Sequence, residues 1–232
     1  MTLFLSSCDI TSWTQVYELI SASEYTITNE PNKKPLTVLY LNYNRISSWK
    51  DFNPGSLKYL NLNYNRISSW KDFNPGYIVN LFLDNNQISS WKDFNPGYIV
   101  NLYLNNNQIS SWKDFTPGSI VYLFLGYNQI SSWKDFNPGS LEHLSLYNNQ
   151  ISSWKDFNPG SLKYLILGNN QFPPNAPTFR QVKIVHTICR CNTRRNCLRR
   201  YIARHRASKV ADMLELNPDS AIYRDFYDEF LT

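Results

Sequence analysis

Three histidines, four cysteines and one dense run of arginines are the residues whose types could carry chemistry. His143, His186 and His205 stand in no Ser-His-Asp or Cys-His arrangement, so no nucleophile is paired with a base. No HExxH, clustered-carboxylate metal motif or glycine-rich phosphate loop occurs, and the glycines sit mainly in Asn-Pro-Gly turns. Cys189, Cys191 and Cys197 lie close together, with His186 and His205 nearby, but Cys-x-Cys is not the usual zinc spacing. They read as unpaired structural thiols rather than as a metal site. Cys191 among arginines has the setting of a lowered thiol pKa, yet no base or oxyanion donor accompanies it. The expectation is a chain with no catalytic residue, no metal and no cofactor.

The arginines suit phosphate. Formal net charge is +5, and all of it resides from Thr178 onward, where eleven Lys/Arg face six Asp/Glu. Residues 1–177 are neutral. The densest stretch holds Arg194, Arg195, Arg199, Arg200, Arg204 and Arg206. Leu198, Tyr201 and Ile202, continuing to Val210, Met213 and Leu214, have helical spacing. A second helix is predicted through Ile222, Phe226 and Phe230. Three readings of this region stand together: a helical cap with its arginines in solvent, a basic patch for nucleic acid or anionic lipid, and a nuclear-import signal. Asp225, Asp228 and Glu229 would mute the last two by pairing with the arginines.

What positions everything else is a repeat. ISSWKDFNPG occurs at Ile46, Ile67, Ile88, Ile130 and Ile151, and at Ile109 with Thr116 in place of asparagine. The period is 21 residues. Between copies runs a second pattern, as in Leu57, Leu60, Leu62, Asn65 and Ile67, or Ile99, Leu102, Leu104, Asn107 and Ile109. This L-x-x-L-x-L-x-x-N-x-I unit recurs seven times from Leu36 to Phe172 and resembles the leucine-rich-repeat family. An eighth, degenerate copy aligns Leu3, Leu5, Cys8, Ile10 and Trp13 with Leu39, Leu41, Asn44, Ile46 and Trp49. Its extra residues include TQVYELISASE, where Val16, Leu19 and Ile20 predict one helix on the outer side, and Pro31 and Pro35 end the excursion before the regular array begins.

The resemblance implies an α/β solenoid: a leucine-rich-repeat horseshoe with a parallel concave sheet, a helix-poor convex side and a C-terminal helical cap. The expected organisation is a degenerate first repeat with a convex helix over 1–35, seven repeats over 36–177 and a basic helical region over 178–232. Leucines at positions 1, 4 and 6 and the isoleucine at 11 point inward, and stacking makes the core continuous. The position-9 asparagine satisfies backbone groups left by the turn. Ser48 followed by Asp51 reads as a capping box opening one helical turn at WKDF. Trp49, Trp70, Trp91, Trp112, Trp133 and Trp154, with Phe52, Phe73, Phe94, Phe115, Phe136 and Phe157, are read as filling the outer core.

The outer segments barely vary, whereas positions 3, 5, 7 and 8 do, and alternation turns them toward the concave face. Position 3 carries Val38, Tyr59, Asn80, Asn101, Tyr122, His143 and Tyr164. Position 5 carries Tyr40, Asn61, Phe82, Tyr103, Phe124, Ser145 and Ile166. Positions 7 and 8 add Asn42, Tyr43, Asn63, Tyr64, Asp84, Asn105, Tyr127 and Tyr147. A Tyr/Phe/Asn surface with little charge is the chemistry of protein contacts. Candidate contact residues are therefore Tyr40, Tyr59, Phe82, Tyr103, Tyr122, Phe124, Tyr127, Tyr147 and Tyr164. The competing reading makes them cross-strand pairs that stabilise the sheet.

The expected partner is a protein, with nucleic acid through the basic region or a purely structural solenoid as alternatives. Cysteine is sparse, and no stretch reaches the roughly 18 apolar residues of a membrane span. The expectation is an intracellular monomer, cytoplasmic, with the nucleus as the alternative.

Overall fold

The computed structural model describes residues 1–28, 32–172 and 182–185. These all belong to one compact unit, Met1–His186. The expected C-terminal cap, the arginine patch, Cys189, Cys191, Cys197, His186 and His205 lie outside the described residues, as does Pro31.

Short strands recur once per repeat. In chain order the elements are β1 (Thr2–Phe4), α1 (Trp13–Ser21), β2 (Tyr25–Thr26), β3 (Lys34–Pro35), β4 (Val38–Tyr40), β5 (Tyr59–Asn61), β6 (Asn80–Phe82), β7 (Asn101–Tyr103), β8 (Tyr122–Phe124), β9 (His143–Ser145), β10 (Tyr164–Ile166) and β11 (Lys183–Val185). Nine of them form one sheet in the order β1-β4-β5-β6-β7-β8-β9-β10-β11. Each pair is parallel and in register, so that Leu81 faces Leu60 and Leu102. The degenerate first copy joins in the same register, Leu3 opposite Leu39. β2 and β3 form a separate two-stranded parallel pair.

Register is exact because every inward leucine must land on its counterpart. Leu60, Leu62, Leu81, Leu83, Leu102, Leu104, Leu123 and Leu125, with Ile67, Ile88 and Ile109, are fully enclosed. A one-residue slip would turn all of them to solvent. The tryptophan column is equally enclosed from Trp49 to Trp133. Its rings stack with centroids 6.3 Å (Trp49–Trp70), 6.4 Å (Trp70–Trp91) and 6.5 Å (Trp91–Trp112) apart. Each phenylalanine tilts against the tryptophan of the preceding repeat, as Phe94 does on Trp70 at 4.6 Å and 53°.

This interleaving makes each repeat a wedge. On the sheet side, rings at equivalent positions lie only 4.3 Å (Phe82–Tyr103) to 4.7 Å (His143–Tyr164) apart, close to the natural spacing of adjacent strands. On the outer side the tryptophans hold the repeats about 2 Å further apart, so the sheet face is the concave one.

The asparagine ladder closes the inner turns. Asn107 donates from Nδ2 to the Leu83 and Leu104 carbonyls (2.9 and 3.1 Å), and its Oδ1 accepts from the Ile88 N–H (3.0 Å). One amide thereby satisfies groups of its own repeat and of the one before it. Asn44, Asn65, Asn86, Asn128, Asn149 and Asn170 repeat the pattern.

Two local expectations need correction. WKDF does not form a helical turn, and Ser48–Asp51 is not a capping box. The Phe52 N–H donates to the Trp49 carbonyl (2.8 Å) while Asp51 sits at φ +64°, which is the geometry of a type II turn. All six copies do the same. Pro54 follows so closely that Asn53 is pushed out of the helical region, and too few residues remain to build a helix. Aspartate tolerates the left-handed position that a helix would forbid. In α1, Leu19 is 43% exposed, and Trp13, Val16 and Ile20 make the buried stripe. At about 100° per residue Leu19 lies roughly 90° from the centre of that stripe. Ser12 caps the helix, accepting from the Gln15 N–H, and Trp13 heads the tryptophan column at 6.0 Å from Trp49. The helix therefore lies on the outer side of the first copy.

The Asn-Pro-Gly turn positions the rim. Gly97 has φ +50°, and a Cβ there would stand 2.4 Å from Cγ of Pro75 in the preceding repeat. Glycine is needed both for the backbone angle and for the close stacking of turn on turn.

Candidate partner-binding face

Positions 3 and 5 lie on the concave face, but the aromatic rings there are not bare. They form two stacks running across the strands. The first is Phe4–Tyr40 (4.7 Å), Tyr40–Tyr59 (5.2 Å), Tyr59–Phe82 (4.8 Å), Phe82–Tyr103 (4.3 Å) and Tyr103–Phe124 (4.6 Å). It steps from position 5 to position 3 at Tyr59, because Asn61 occupies position 5 of that repeat, and then steps back. The second is Tyr122–His143–Tyr164 (4.4 and 4.7 Å), with the Lys183 ammonium 5.9 Å from the last ring.

Stacking consumes the ring faces. Phe82 and Tyr103 are only 7% exposed, so the expectation of open aromatic rings fails at these two. Identical translation places each ring at strand spacing from the next, and each covers its neighbour. Tyr40, Tyr59, Tyr122, Phe124, Tyr147 and Tyr164 are half-buried, and Tyr127 is exposed. Tyr127 meets Tyr147 edge-on at 5.6 Å, and the Tyr147 hydroxyl accepts from Asn169 Nδ2 (2.8 Å). The nine candidates thus fall into two groups, one across the strands and one at the rim where the strands end.

A polar ladder runs beside the rings. Asn63 Oδ1 accepts from the Asp84 N–H (2.8 Å), Asp84 Oδ1 from the Asn105 N–H (2.7 Å), and Asn105 Oδ1 from the Gly126 N–H (2.8 Å). Burial, and then a hydrogen bond with Tyr40, hold the Tyr59 phenol well above its ordinary pKa, so it stays protonated. The face therefore offers ring edges, hydroxyls and amides. Among the described residues, no group of His, Cys, Asp and Glu could hold a metal ion. No described helix is long and apolar enough to cross a membrane.

Burial also lowers the His143 pKa from 6.5, aided by Lys163 and opposed by Glu142. Below about 6.5 the unfolded chain takes up a proton that the folded chain does not. Stability should therefore fall between 6.5 and the lower folded value, then level off. Denaturation of the wild type and of His143→Gln at intervals between pH 7 and pH 5 checks this. The difference between the two curves should grow as pH falls, and a constant difference counts against it.

Phe4, Tyr77 and Tyr98 escaped the sequence reading, and Tyr43 and Tyr64 were placed on the face without being counted among the contact residues. Phe4 is 68% exposed, Tyr43 52% and Tyr64 37%, the last two stacked at 4.3 Å. Tyr77 and Tyr98 are 65% and 62% exposed. Tyr77 and Tyr98 carried a legible signal: they stand where the other Pro-Gly turns carry serine.

In-register parallel strands, a tryptophan-filled outer side and an asparagine ladder make up a leucine-rich-repeat fold. The Leucine Rich Repeat family profile matches residues 56–76. No curated protein matches the chain. Among solved structures, an internalin of Listeria monocytogenes aligns at 28% identity over 61% of this chain, with a TM-score of 0.49. YopM of Yersinia enterocolitica aligns at 26% over 66%, also with a TM-score of 0.49. TLR13, in its complex with ssRNA13, aligns at 24% over 78%, with a TM-score of 0.57, a likeness of fold alone. The alignments span 43%, 34% and 26% of those chains.

Proposed function

We propose that the chain is a non-catalytic binding module that holds a protein partner against its concave face. The observation that carries this reading is the ladder itself: half-buried tyrosines and Phe124 flanked by asparagine amides, on a face with little charge. Such rings are already ordered by their neighbours, so a partner that covers them freezes few rotamers. Tyr40, Tyr59, Tyr122, Phe124 and Tyr164 would contact it across the strands, with Tyr127 and Tyr147 at the rim. Phe82 and Tyr103 would act by holding that row in place. The seven-repeat array is proposed as the module, with residues 1–35 and 178–232 as its flanking regions and an intracellular, cytoplasmic setting.

A photo-crosslinking residue placed at Phe124, and in a second protein at Lys113 on an exposed outer turn, tests the reading in extracts of the native host. One defined protein joined from position 124 and absent from position 113 is the expected result. Equal labelling from both positions, or none from 124, overturns it.

A further inference from the structure

Tyr77 and Tyr98 break a pattern that the array otherwise keeps. In the other Pro-Gly turns the next residue is serine, and in three of those four copies its hydroxyl clamps the preceding repeat. Ser56 donates to the Leu36 carbonyl (2.8 Å), Ser140 to Gly118 and Ile120, and Ser161 to Gly139 and Leu141. A tyrosine gives up that clamp and puts a large ring into water. Two adjacent repeats do so, and the rings stand nearly parallel, 5.8 Å apart and 17° from coplanar. They are the two most exposed tyrosines among the described residues. Ser56 and Ser119, both small, flank the pair in the repeats on either side, so the outward ring faces are open.

Three residues further along each chain segment lie Asn80 and Asn101. Asn101 Nδ2 donates to Asn80 Oδ1 (2.6 Å). That bond leaves Asn80 Nδ2 as a donor and Asn101 Oδ1 as an acceptor, one repeat apart at the face. From 77 to 82, 98 to 103 and 119 to 124 there is no charged residue. Charge resumes only outside this strip, at Lys58 on one side and at the Glu142–Lys163 ion pair (2.7 Å) on the other.

We propose that this rim is a site for an uncharged, proline-rich segment in the polyproline II conformation, running along the repeats. Such a helix has no internal hydrogen bonds, so its carbonyls are free to accept from Asn80, and a non-proline N–H can donate to Asn101. Its proline rings are rigid and apolar and pack on exposed aromatic rings such as Tyr77 and Tyr98. A charged ligand would find no counter-charge here. The inference rests on the reading of the chain as a protein-binding module and names the partner's chemistry.

The test titrates the full chain with a blocked peptide of three Pro-Pro-Ala repeats and follows tyrosine fluorescence or isotope-labelled amide shifts. Tyr77→Ser with Tyr98→Ser reproduces the residue of the other turns and should leave melting unchanged. Saturable binding by the wild type, weakened roughly tenfold or more in the double variant and unaltered in a Tyr43→Ser control, is the expected result. Absence of saturable binding, or equal binding in the double variant, overturns it. Binding of cellohexaose through the same tyrosines, with none of the peptide, also overturns it, because the ligand would then be a sugar. A productive cross-link at 124 with no peptide binding leaves the protein-binding face standing and removes this site. Peptide binding with no cross-link does the reverse.

Discussion

Replacing Trp91 by alanine is expected to destabilise the array by about 3–5 kcal/mol. Trp91 is fully enclosed, stacked between Trp70 (6.4 Å) and Trp112 (6.5 Å), and wedged by Phe94 (5.3 Å) and Phe115 (4.6 Å). Its Nε1–H donates to the Ser111 carbonyl (3.1 Å), which the substitution leaves without that donor. Short turns on the outer side have no helix that could shift into the hole, so the cavity stays. In a solenoid each repeat touches only its neighbours, and a fault at the centre weakens the coupling of the two halves. Chemical denaturation should show a lower midpoint and a broadened or split transition. Trp154, which is only half-buried, should cost less when changed in the same way. An unchanged midpoint for Trp91→Ala would remove the core assignment on which the wedge depends.

Asn107→Ala should also be damaging, at about 1–3 kcal/mol, for a different reason. It strands the buried Ile88 N–H, and an unmatched buried group costs about 1–3 kcal/mol, while the Leu83 and Leu104 carbonyls lose one donor each and keep the amides of Asn86 (3.1 Å) and Asn128 (2.8 Å). Asn107→Asp separates shape from hydrogen bonding. The carboxylate is almost the same size and can still accept from Ile88, but its second oxygen faces two carbonyl oxygens. It should therefore do no better than alanine at neutral pH. Exposed Gln108, the next residue, should tolerate alanine within about 0.5 kcal/mol. The three denaturation midpoints together check the ladder, and an Asn107→Asp protein as stable as the wild type would show that its amide donor is dispensable.

Much of the fold was legible in the residues because it depends on backbone periodicity. Alternation around L-x-L assigned the inward leucines, and all of those from Leu60 to Leu125 are enclosed. The recurring tryptophans could fill the outer half only by stacking, and they do. The WKDF segment misled because its charges and its serine mimic a helix start, while the proline that prevents a helix lies beyond it. The candidate face was legible as a set of positions but not as a set of open rings, since burial by a neighbour one repeat away does not appear in local patterning. Tyr77 and Tyr98 were legible only as departures from a serine whose clamp becomes visible with the hydrogen bonds in place.

The amino-acid sequence by itself determined the period, the inward and outward sides of each strand and the asparagine at every inner turn, because these follow from chain geometry and hydrophobic spacing that repeat without change. Only the tertiary structure decided which rings meet solvent, which way the sheet curves and where a donor and an acceptor stay unclaimed. Those properties come from the separation of successive repeats, about strand spacing on one side and wider where tryptophan and phenylalanine interleave on the other, and no single repeat contains that distance.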